Sequence, residues 1–188
     1  MKKEFMQLFE DCPVIAAIKD ESGLEACLSS DIQIVFVLFG DICSISGIVN
    51  RLKQAGKTVI VHLDLISGLS AKEIAVQFIR EQTAADGVIS TKPALIRQAK
   101  EQGLLTVMRF FAIDSMAYDN IRRQSESVHP DIIEVLPGLM PKVIRRICGE
   151  IRTPLIAGGM ITDKEDIVAA LDAGAISIST TNRKVWNM

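Results

Sequence analysis

Short apolar runs rich in valine and isoleucine alternate along the chain with longer segments in which apolar residues recur at helical spacing. One run and the segment after it occupy roughly 20–25 residues, which is typical of repeated strand–helix units. The runs predict strands at residues 14–18, 34–38, 58–63, 87–90, 104–110, 132–135, 154–157 and 175–179. Because most runs are apolar almost throughout, they indicate parallel strands covered by helices. The sequence therefore predicts an α/β fold, a small (β/α)8 TIM-type barrel.

Helix signals between the runs support this fold. The spacing predicts helices at residues 23–29, 45–55, 71–81, 93–102, 115–126, 141–148 and 162–173, and a helical stub at 183–188. Ser70 and Thr162 each precede a glutamate by three positions, the pattern of a capping box at a helix start. Gly56, Gly103 and Gly174 each follow a predicted helix, where a left-handed residue commonly ends the helix.

The chain length indicates one domain. Its 188 residues suffice for a sizeable core, and no linker or low-complexity segment divides them, so we predict a single domain over residues 1–188. A barrel of this type usually has about 250 residues. A doubly wound open sheet therefore remains the alternative fold.

Composition and charge restrict the class of protein. With 48% hydrophobic and 23% charged residues, the chain is globular rather than disordered. A net charge of −2 and a pI near 5.7 give no overall signal for a polyanionic partner, although a local basic patch stays open. No apolar run approaches the roughly 18–20 residues that span a bilayer, so we predict no membrane association.

The cysteines and the N-terminus indicate a reduced, cytoplasmic protein. The four cysteines show no CxxC spacing, and there are two histidines. These residues predict no metal site, and we expect no cofactor. The N-terminal segment carries acidic residues and lacks the apolar stretch of an export signal.

Charged side chains lie where several predicted strands end. Ligands of such barrels bind at the carboxyl ends of the strands, and charges are costly against the helix layer. We therefore predict a polar ligand pocket in the barrel mouth formed by Lys19, His62, Asp64, Arg109 and Glu134. The alternative is an ion-pair network that fills the top of the barrel without binding anything.

The last two predicted strands are followed by residues suited to binding an anion. Gly158 and Gly159 leave backbone N–H groups accessible because they have no Cβ, and Thr180 and Thr181 precede the terminal stub. In these barrels the loops after the seventh and eighth strands recurrently bind phosphate. We predict a phosphate site at these four residues; a tight Gly-Gly turn without a ligand is the alternative.

Several segments together resemble the glycerol-3-phosphate-responsive antiterminator family. The most specific are Glu-Val-Leu-Pro-Gly at 134–138 and His-Leu-Asp-Leu at 62–65. Further similar segments lie at residues 13–19, 39–41, 154–161, 170–175 and 179–181, so the resemblance covers nearly the whole chain.

The resemblance implies a transcription antiterminator without catalytic residues. Such a protein senses glycerol 3-phosphate, binds the leader mRNA of glycerol-utilisation genes and prevents termination at an inverted repeat. The alternative is a TIM-barrel enzyme acting on a phosphorylated triose or sugar through Lys19, His62, Asp64 and Glu134. Whether the protein forms a homo-oligomer stays open.

The RNA surface implied by the resemblance has no recognisable RNA-binding motif in the sequence. RNA affinity rests largely on Lys and Arg contacts to phosphates, so we looked for basic residues on shared helix faces. The predicted surface comprises Arg122, Arg123, Lys142, Arg145, Arg146 and Arg152. The alternative is that these are ordinary solvated helix faces.

Overall fold

Eight parallel strands close into a barrel in the computed structural model, which describes residues 2–186 and the side chains of residues 5–186. The strands are β1 (Val14–Ile18), β2 (Ile34–Val37), β3 (Thr58–His62), β4 (Gly87–Ser90), β5 (Leu105–Phe111), β6 (Ile132–Leu136), β7 (Leu155–Gly158) and β8 (Ser177–Thr180). They pair in chain order, and β1 pairs with β8. The predicted barrel is confirmed, and an open doubly wound sheet is excluded because an open sheet has two unpaired edges.

Seven of the eight described α-helices connect successive strands around the outside of the barrel, and the first precedes β1. They are α1 (Lys2–Asp11), α2 (Glu21–Leu28), α3 (Ile45–Gln54), α4 (Ile74–Gln82), α5 (Pro93–Glu101), α6 (Ser115–Val128), α7 (Pro141–Glu150) and α8 (Lys164–Asp172), with short 3-10 helices at Leu63–Leu65 and Arg183–Val185. The predicted terminal stub is thus shorter than expected, and its last two residues lie outside the described part. Helix α1 was not among the helices predicted from the sequence.

The barrel interior is a separate apolar core made by alternate strand residues. It contains, among others, Ile15, Phe36, Ile60, Val107 and Ile156, all buried. The intervening strand residues point outward and pack against the helices. This alternation follows from the period of two along a strand. Because one face meets the interior core and the other meets the helices, the strands are apolar on both faces.

Helix α1 closes the amino-terminal end of the barrel. Phe9 is fully buried in the interior core. Its carbonyl oxygen accepts a hydrogen bond of 2.6 Å from the hydroxyl of Ser177, the first residue of β8. Helix α1 therefore fills the amino-terminal end of the interior, and a ligand would approach the barrel from the carboxyl ends of the strands.

The helix ends agree with the sequence signals in part. Gly56, Gly103 and Gly174 adopt positive φ values of 75°, 76° and 105°, as predicted. Ser70 does not cap a helix, because α4 begins four residues later, at Ile74.

The second predicted capping box is displaced by one residue. Asp163, rather than Thr162, caps α8 and accepts a hydrogen bond from the backbone N–H of Asp166. The N–H and hydroxyl of Thr162 donate instead to the Asp166 carboxylate.

Candidate functional site

A cavity of about 220 Å³ opens at the carboxyl ends of the strands. We call it the mouth cavity. It is lined by Ala17, Leu38, Arg109, Glu134, Leu136, residues 159–162 and residues 179–182. The cavity thus lies mainly over β5–β8, with one residue each from β1 and the end of β2.

A buried ion pair forms one side of the mouth cavity. Arg109 and Glu134 are register partners on β5 and β6, and the guanidinium Nε of Arg109 donates to Glu134 Oε2 at 2.5 Å. The hydroxyl of Ser179 on β8 donates to Glu134 Oε1, also at 2.5 Å. Glu134 is fully buried and Arg109 is 9% exposed. The pair places two charges and a hydroxyl beside the cavity in a setting of low solvent access.

Gly158 makes room for this pair. A Cβ on Gly158 would lie 2.6 Å from both Glu134 Oε1 and the Ser179 hydroxyl. Gly158 itself is buried in β7 and does not line the cavity. Glycine is required here by close packing of side chains.

The loop after β7 has an unusual backbone. Gly159 has φ of 77° and the next residue, Met160, has φ of 66°, a left-handed conformation that costs energy for a residue with a side chain. Met160 is also 69% exposed, so burial of its side chain does not explain the conformation. The backbone N–H groups of Gly159 and Met160 donate to no acceptor among residues 2–186.

Hydrogen bonds join this loop to the segment after β8. The hydroxyl of Thr180 donates to the carbonyl oxygen of Ile161 at 2.9 Å and accepts from the N–H of Asn182 at 3.0 Å. The Asn182 amide donates to the carbonyl oxygen of Thr162 at 3.0 Å. The N–H of Thr181 has no acceptor within the described chain. The two loops therefore form one connected edge of the mouth cavity.

His62 and Asp64 do not line the mouth cavity. His62 is 2% exposed, and its Nδ1 has no hydrogen-bond partner among the described residues. Burial, and then the positive charge of Arg109, lower the pKa of His62 to about 4. The imidazole is therefore neutral near pH 7 and cannot supply positive charge to a phosphate.

The carboxylate of Asp64 holds the segment after β4. It accepts hydrogen bonds from the Ser90 hydroxyl, from the N–H and hydroxyl of Thr91, and from Lys92 Nζ at 3.0 Å. Burial disfavours its ionised form, but the bonds from Thr91 and Lys92 outweigh burial and lower the pKa of Asp64. Its predicted role as a ligand acceptor is not supported, because its oxygens already have these partners.

Lys19 lies at the exposed end of β1 and makes no hydrogen bond or ion pair with another described residue. It does not line the mouth cavity. Arg183, the residue after the cavity-lining Asn182, reaches back to the same segment, where it contacts the Ser22 hydroxyl and pairs with Asp20 at 3.5 Å. The cavity edge near β1 thus carries two cationic side chains.

The predicted basic residues are exposed on α6, on α7 and just after α7. Arg146 of α7 lies over the ring of Tyr118 of α6, 4.4 Å from its centroid, and pairs with Glu150 at 3.1 Å. Arg122 lies near enough to act electrostatically on both Tyr118 and Glu150. Arg122 of α6 and Arg146 of α7 therefore lie near one another across the two helices, whereas Arg152 lies beyond the end of α7.

Within residues 2–186, no helix is both long and apolar enough to cross a membrane. The same residues contain no cluster of three or more histidine, cysteine or carboxylate side chains that could hold a metal ion.

The glycerol-3-phosphate responsive antiterminators match this chain over residues 14–186. The chain belongs to this family. The family resemblance noted in the sequence is thereby confirmed.

Individual antiterminator-family relatives match nearly end to end. YgcP, an uncharacterized protein of Escherichia coli K12, is 44% identical over 183 residues, which are 97% of this chain and 96% of YgcP. The crystal structure of the glycerol uptake operon antiterminator regulatory protein of Listeria monocytogenes is 32% identical, with a TM-score of 0.89 over 92% of this chain and 94% of that chain. A glycerol uptake operon antiterminator-related protein of Thermotoga maritima is 36% identical, with a TM-score of 0.83 over 93% and 98%.

Barrel enzymes share the fold of this antiterminator-family chain at much lower identity. Deoxyribose phosphate aldolase from Aeropyrum pernix is 14% identical, with a TM-score of 0.69 over 97% of this chain and 94% of that chain. Likeness at this identity shows the fold alone.

The structure separates the predicted pocket residues of this antiterminator-family chain into two groups. Arg109, Glu134, Gly159, Thr180 and Thr181 line the mouth cavity. Lys19, His62, Asp64 and Gly158 lie outside its lining. Sequence analysis missed Ser179 and Asn182 as pocket residues; the alternation along β8 was a usable signal for Ser179, since it places this residue inward.

Proposed function

We propose that this protein senses glycerol 3-phosphate in the mouth cavity and, in the bound state, binds the leader mRNA of glycerol-utilisation genes and prevents termination. The observation that carries the proposal is the mouth cavity itself, with free backbone N–H groups on one edge and a charged pair beside it. Because the target would be a nascent transcript, the proposal implies a cytoplasmic protein.

The phosphate end of the ligand would bind at the loops after β7 and β8. The N–H groups of Gly159, Met160 and Thr181 lack acceptors among the described residues, and N–H groups without acceptors suit an anion. Thr180 holds the two loops together, and Gly158 accommodates the ion pair beneath them. The strained backbone at Met160 is consistent with a loop shaped for binding rather than for stability.

The glycerol end would bind at the buried ion pair. Two hydroxyls need both donors and acceptors, and charged partners give the stronger hydrogen bonds. A carboxylate can accept about four hydrogen bonds, so Glu134 keeps acceptor capacity beyond its bonds to Arg109 and Ser179. Lys19, at the rim, adds positive potential that favours an anionic ligand.

A short loop connects the phosphate edge to the basic helices. Gly138, in the loop between β6 and α7, donates its N–H to the carbonyl oxygen of Gly159 at 3.1 Å. Leu136, the last residue of β6, lines the cavity, and its carbonyl oxygen accepts a hydrogen bond from the N–H of Ala112, in the loop between β5 and α6. A ligand that repositions the Gly159 loop would therefore act on the starts of both α6 and α7.

The RNA would bind across these two helices. Arg122, Arg123, Lys142, Arg145 and Arg146 are exposed there, and contacts from such residues to phosphates supply most nucleic-acid affinity. Arg152, beyond the end of α7, would extend the surface. A local basic surface also reconciles RNA binding with a net charge of −2.

No observation favours the enzyme alternative. His62 is buried and neutral near pH 7, and the Asp64 oxygens are occupied by the segment after β4. Arg109 and Glu134 neutralise one another. His62 and Asp64 lie outside the mouth cavity, and Arg109 and Glu134 are bound to each other, so none of them is placed to exchange a proton with a ligand there.

The ligand site is tested by thermal unfolding with increasing glycerol 3-phosphate. We expect stabilisation that follows RT ln(1 + [L]/Kd) in the wild type and none in Gly159→Val. Gly56→Val is the matched control, because Gly56 has nearly the same φ (75° against 77°) but nothing within 4 Å of a Cβ and no place in the cavity. Loss of ligand protection in both variants, or in neither, would count against the assignment.

A further inference from the structure

A second, larger cavity of about 440 Å³ lies between the amino-terminal halves of α6 and α7. We call it the α6–α7 cleft. Ile113, Tyr118, Met140, Val143 and Arg146 line it. The cleft lies at the same end of the barrel as the mouth cavity, since both helices begin just after a strand ends. The proposed ligand site does not use it.

The Tyr118 hydroxyl is buried beside the Glu150 carboxylate. The carboxylate acts on it as a hydrogen-bond partner, although the two groups lack full hydrogen-bond geometry. Burial, and then Glu150, raise the pKa of Tyr118, so the hydroxyl keeps its proton and remains a donor. Because its bond to Glu150 is imperfect, the hydroxyl can donate instead to a bound acceptor in the cleft.

Arg146 offers a flat cationic face. One side of its guanidinium covers the Tyr118 ring, while 67% of the side chain remains exposed. Guanidinium planes and aromatic rings are the surfaces on which unpaired RNA bases stack. The single tyrosine of the chain thus lies within the basic surface, whereas the single tryptophan, Trp186, is buried.

The remaining cleft residues suit a base better than a phosphate. Ile113 is 79% exposed and, with Met140 and Val143, gives an apolar wall for a flat ring. Asp114 and Asp119 also line the cleft. Their carboxylates would repel a phosphate, but that of Asp119 can accept a hydrogen bond from the amino group of a base. The phosphates would instead meet the flanking cations of α7, where Lys142, Arg145 and Arg146 outnumber Glu150.

We infer that the α6–α7 cleft receives an unpaired nucleobase of the RNA, which stacks on Arg146 and accepts a hydrogen bond from the Tyr118 hydroxyl. The inference rests on the proposed RNA binding, and it adds the place at which an unpaired base is recognised. An apolar segment of a second copy of the chain is the competing occupant, but Lys142, Arg145 and Arg146 of α7 beside the cleft favour RNA.

The test compares two RNA hairpins with the same stem, one with an unpaired mixed-sequence loop and one with an abasic loop, each with saturating glycerol 3-phosphate. Arg146→Lys keeps the charge but removes the stacking plane, and Tyr118→Phe removes only the hydroxyl. We expect Arg146→Lys to weaken binding of the base-containing loop by about tenfold or more. Binding of the abasic loop should not change, and the salt dependence of both should be retained. Arg97→Lys, on the exposed face of α5, is the control and should bind both RNAs as the wild type does.

The outcomes separate this inference from the proposed function. If the wild type binds neither hairpin, RNA binding itself fails, and the base site fails with it. If the wild type binds RNA but Arg146→Lys and Tyr118→Phe bind both hairpins unchanged, only the base site is overturned. If Ile113→Asp alters the oligomeric state in sedimentation while RNA affinity stays constant, the cleft is a contact between copies, and the inference is wrong.

Discussion

Replacing Glu134 with leucine would leave the Arg109 guanidinium buried without its counter-charge. In the native protein these groups are 2.5 Å apart, and neither is more than 9% exposed. Breaking a buried pair by removing one partner costs about 3–5 kcal/mol of unfolding free energy. In a chain of this length each kcal/mol lowers the melting temperature by roughly 2–4 °C. We therefore expect Glu134→Leu to melt about 6–20 °C below the wild type.

A double-mutant cycle separates loss of the pair from loss of packing. Arg109→Met should also destabilise, since it leaves the Glu134 carboxylate with the Ser179 hydroxyl alone. The double variant removes both charges, and such replacements are commonly neutral or stabilising by about 1–4 kcal/mol. The free energies come from urea unfolding of the four proteins. The reasoning would be refuted if each single variant lost less than about 1 kcal/mol of unfolding free energy and the two losses simply added in the double variant.

Two further predictions concern the surroundings of this pair. The pKa of His62 falls from 6.5 in the unfolded chain to about 4 in the folded protein, so the unfolded chain binds the proton more readily as the pH falls. We therefore expect the unfolding free energy to drop by about 3 kcal/mol between pH 6.5 and 4. In urea unfolding over the same range, His62→Gln should lose correspondingly less. An identical pH dependence in both proteins would contradict the assignment. Gly158→Ala should destabilise by about 1–3 kcal/mol and abolish ligand protection, because its Cβ would lie 2.6 Å from Glu134 and Ser179. Gly149→Ala, in α7 with open space around its Cβ, should instead stabilise by roughly 0.5–1 kcal/mol, and the same direction of change in both variants would refute the steric reasoning.

The sequence predicted the barrel because each strand carries its own local signal. Buried β-branched runs such as Val14–Ile18 have the same pattern in any barrel position, and the strand bounds agree within two residues. Helix α1 was missed because its apolar residues, such as Phe9, pack against the end of the barrel and not against a neighbouring strand of the sequence. That end exists only once the strands have closed.

Arg109 and Glu134 could be placed in the mouth cavity from sequence, but Lys19, His62 and Asp64 lie outside its lining, and the partners of these side chains could not be predicted. The Arg109–Glu134 pair depends on the register of neighbouring strands. Asp64 is held by Lys92 from the next strand–helix connection, a pairing that no local pattern indicates. The false helix start at Ser70 has a similar cause, because Ser67 pairs with the loop after β2 and delays α4.

The most direct test of the proposed function is the affinity for the leader RNA of the glycerol-utilisation genes in the protein's own genome, measured with and without glycerol 3-phosphate. We predict that saturating glycerol 3-phosphate tightens RNA binding, that RNA tightens ligand binding by the same factor, as linkage requires, and that Gly159→Val removes both effects. Equal RNA affinity with and without the ligand, in a protein that the ligand demonstrably stabilises, would contradict the account.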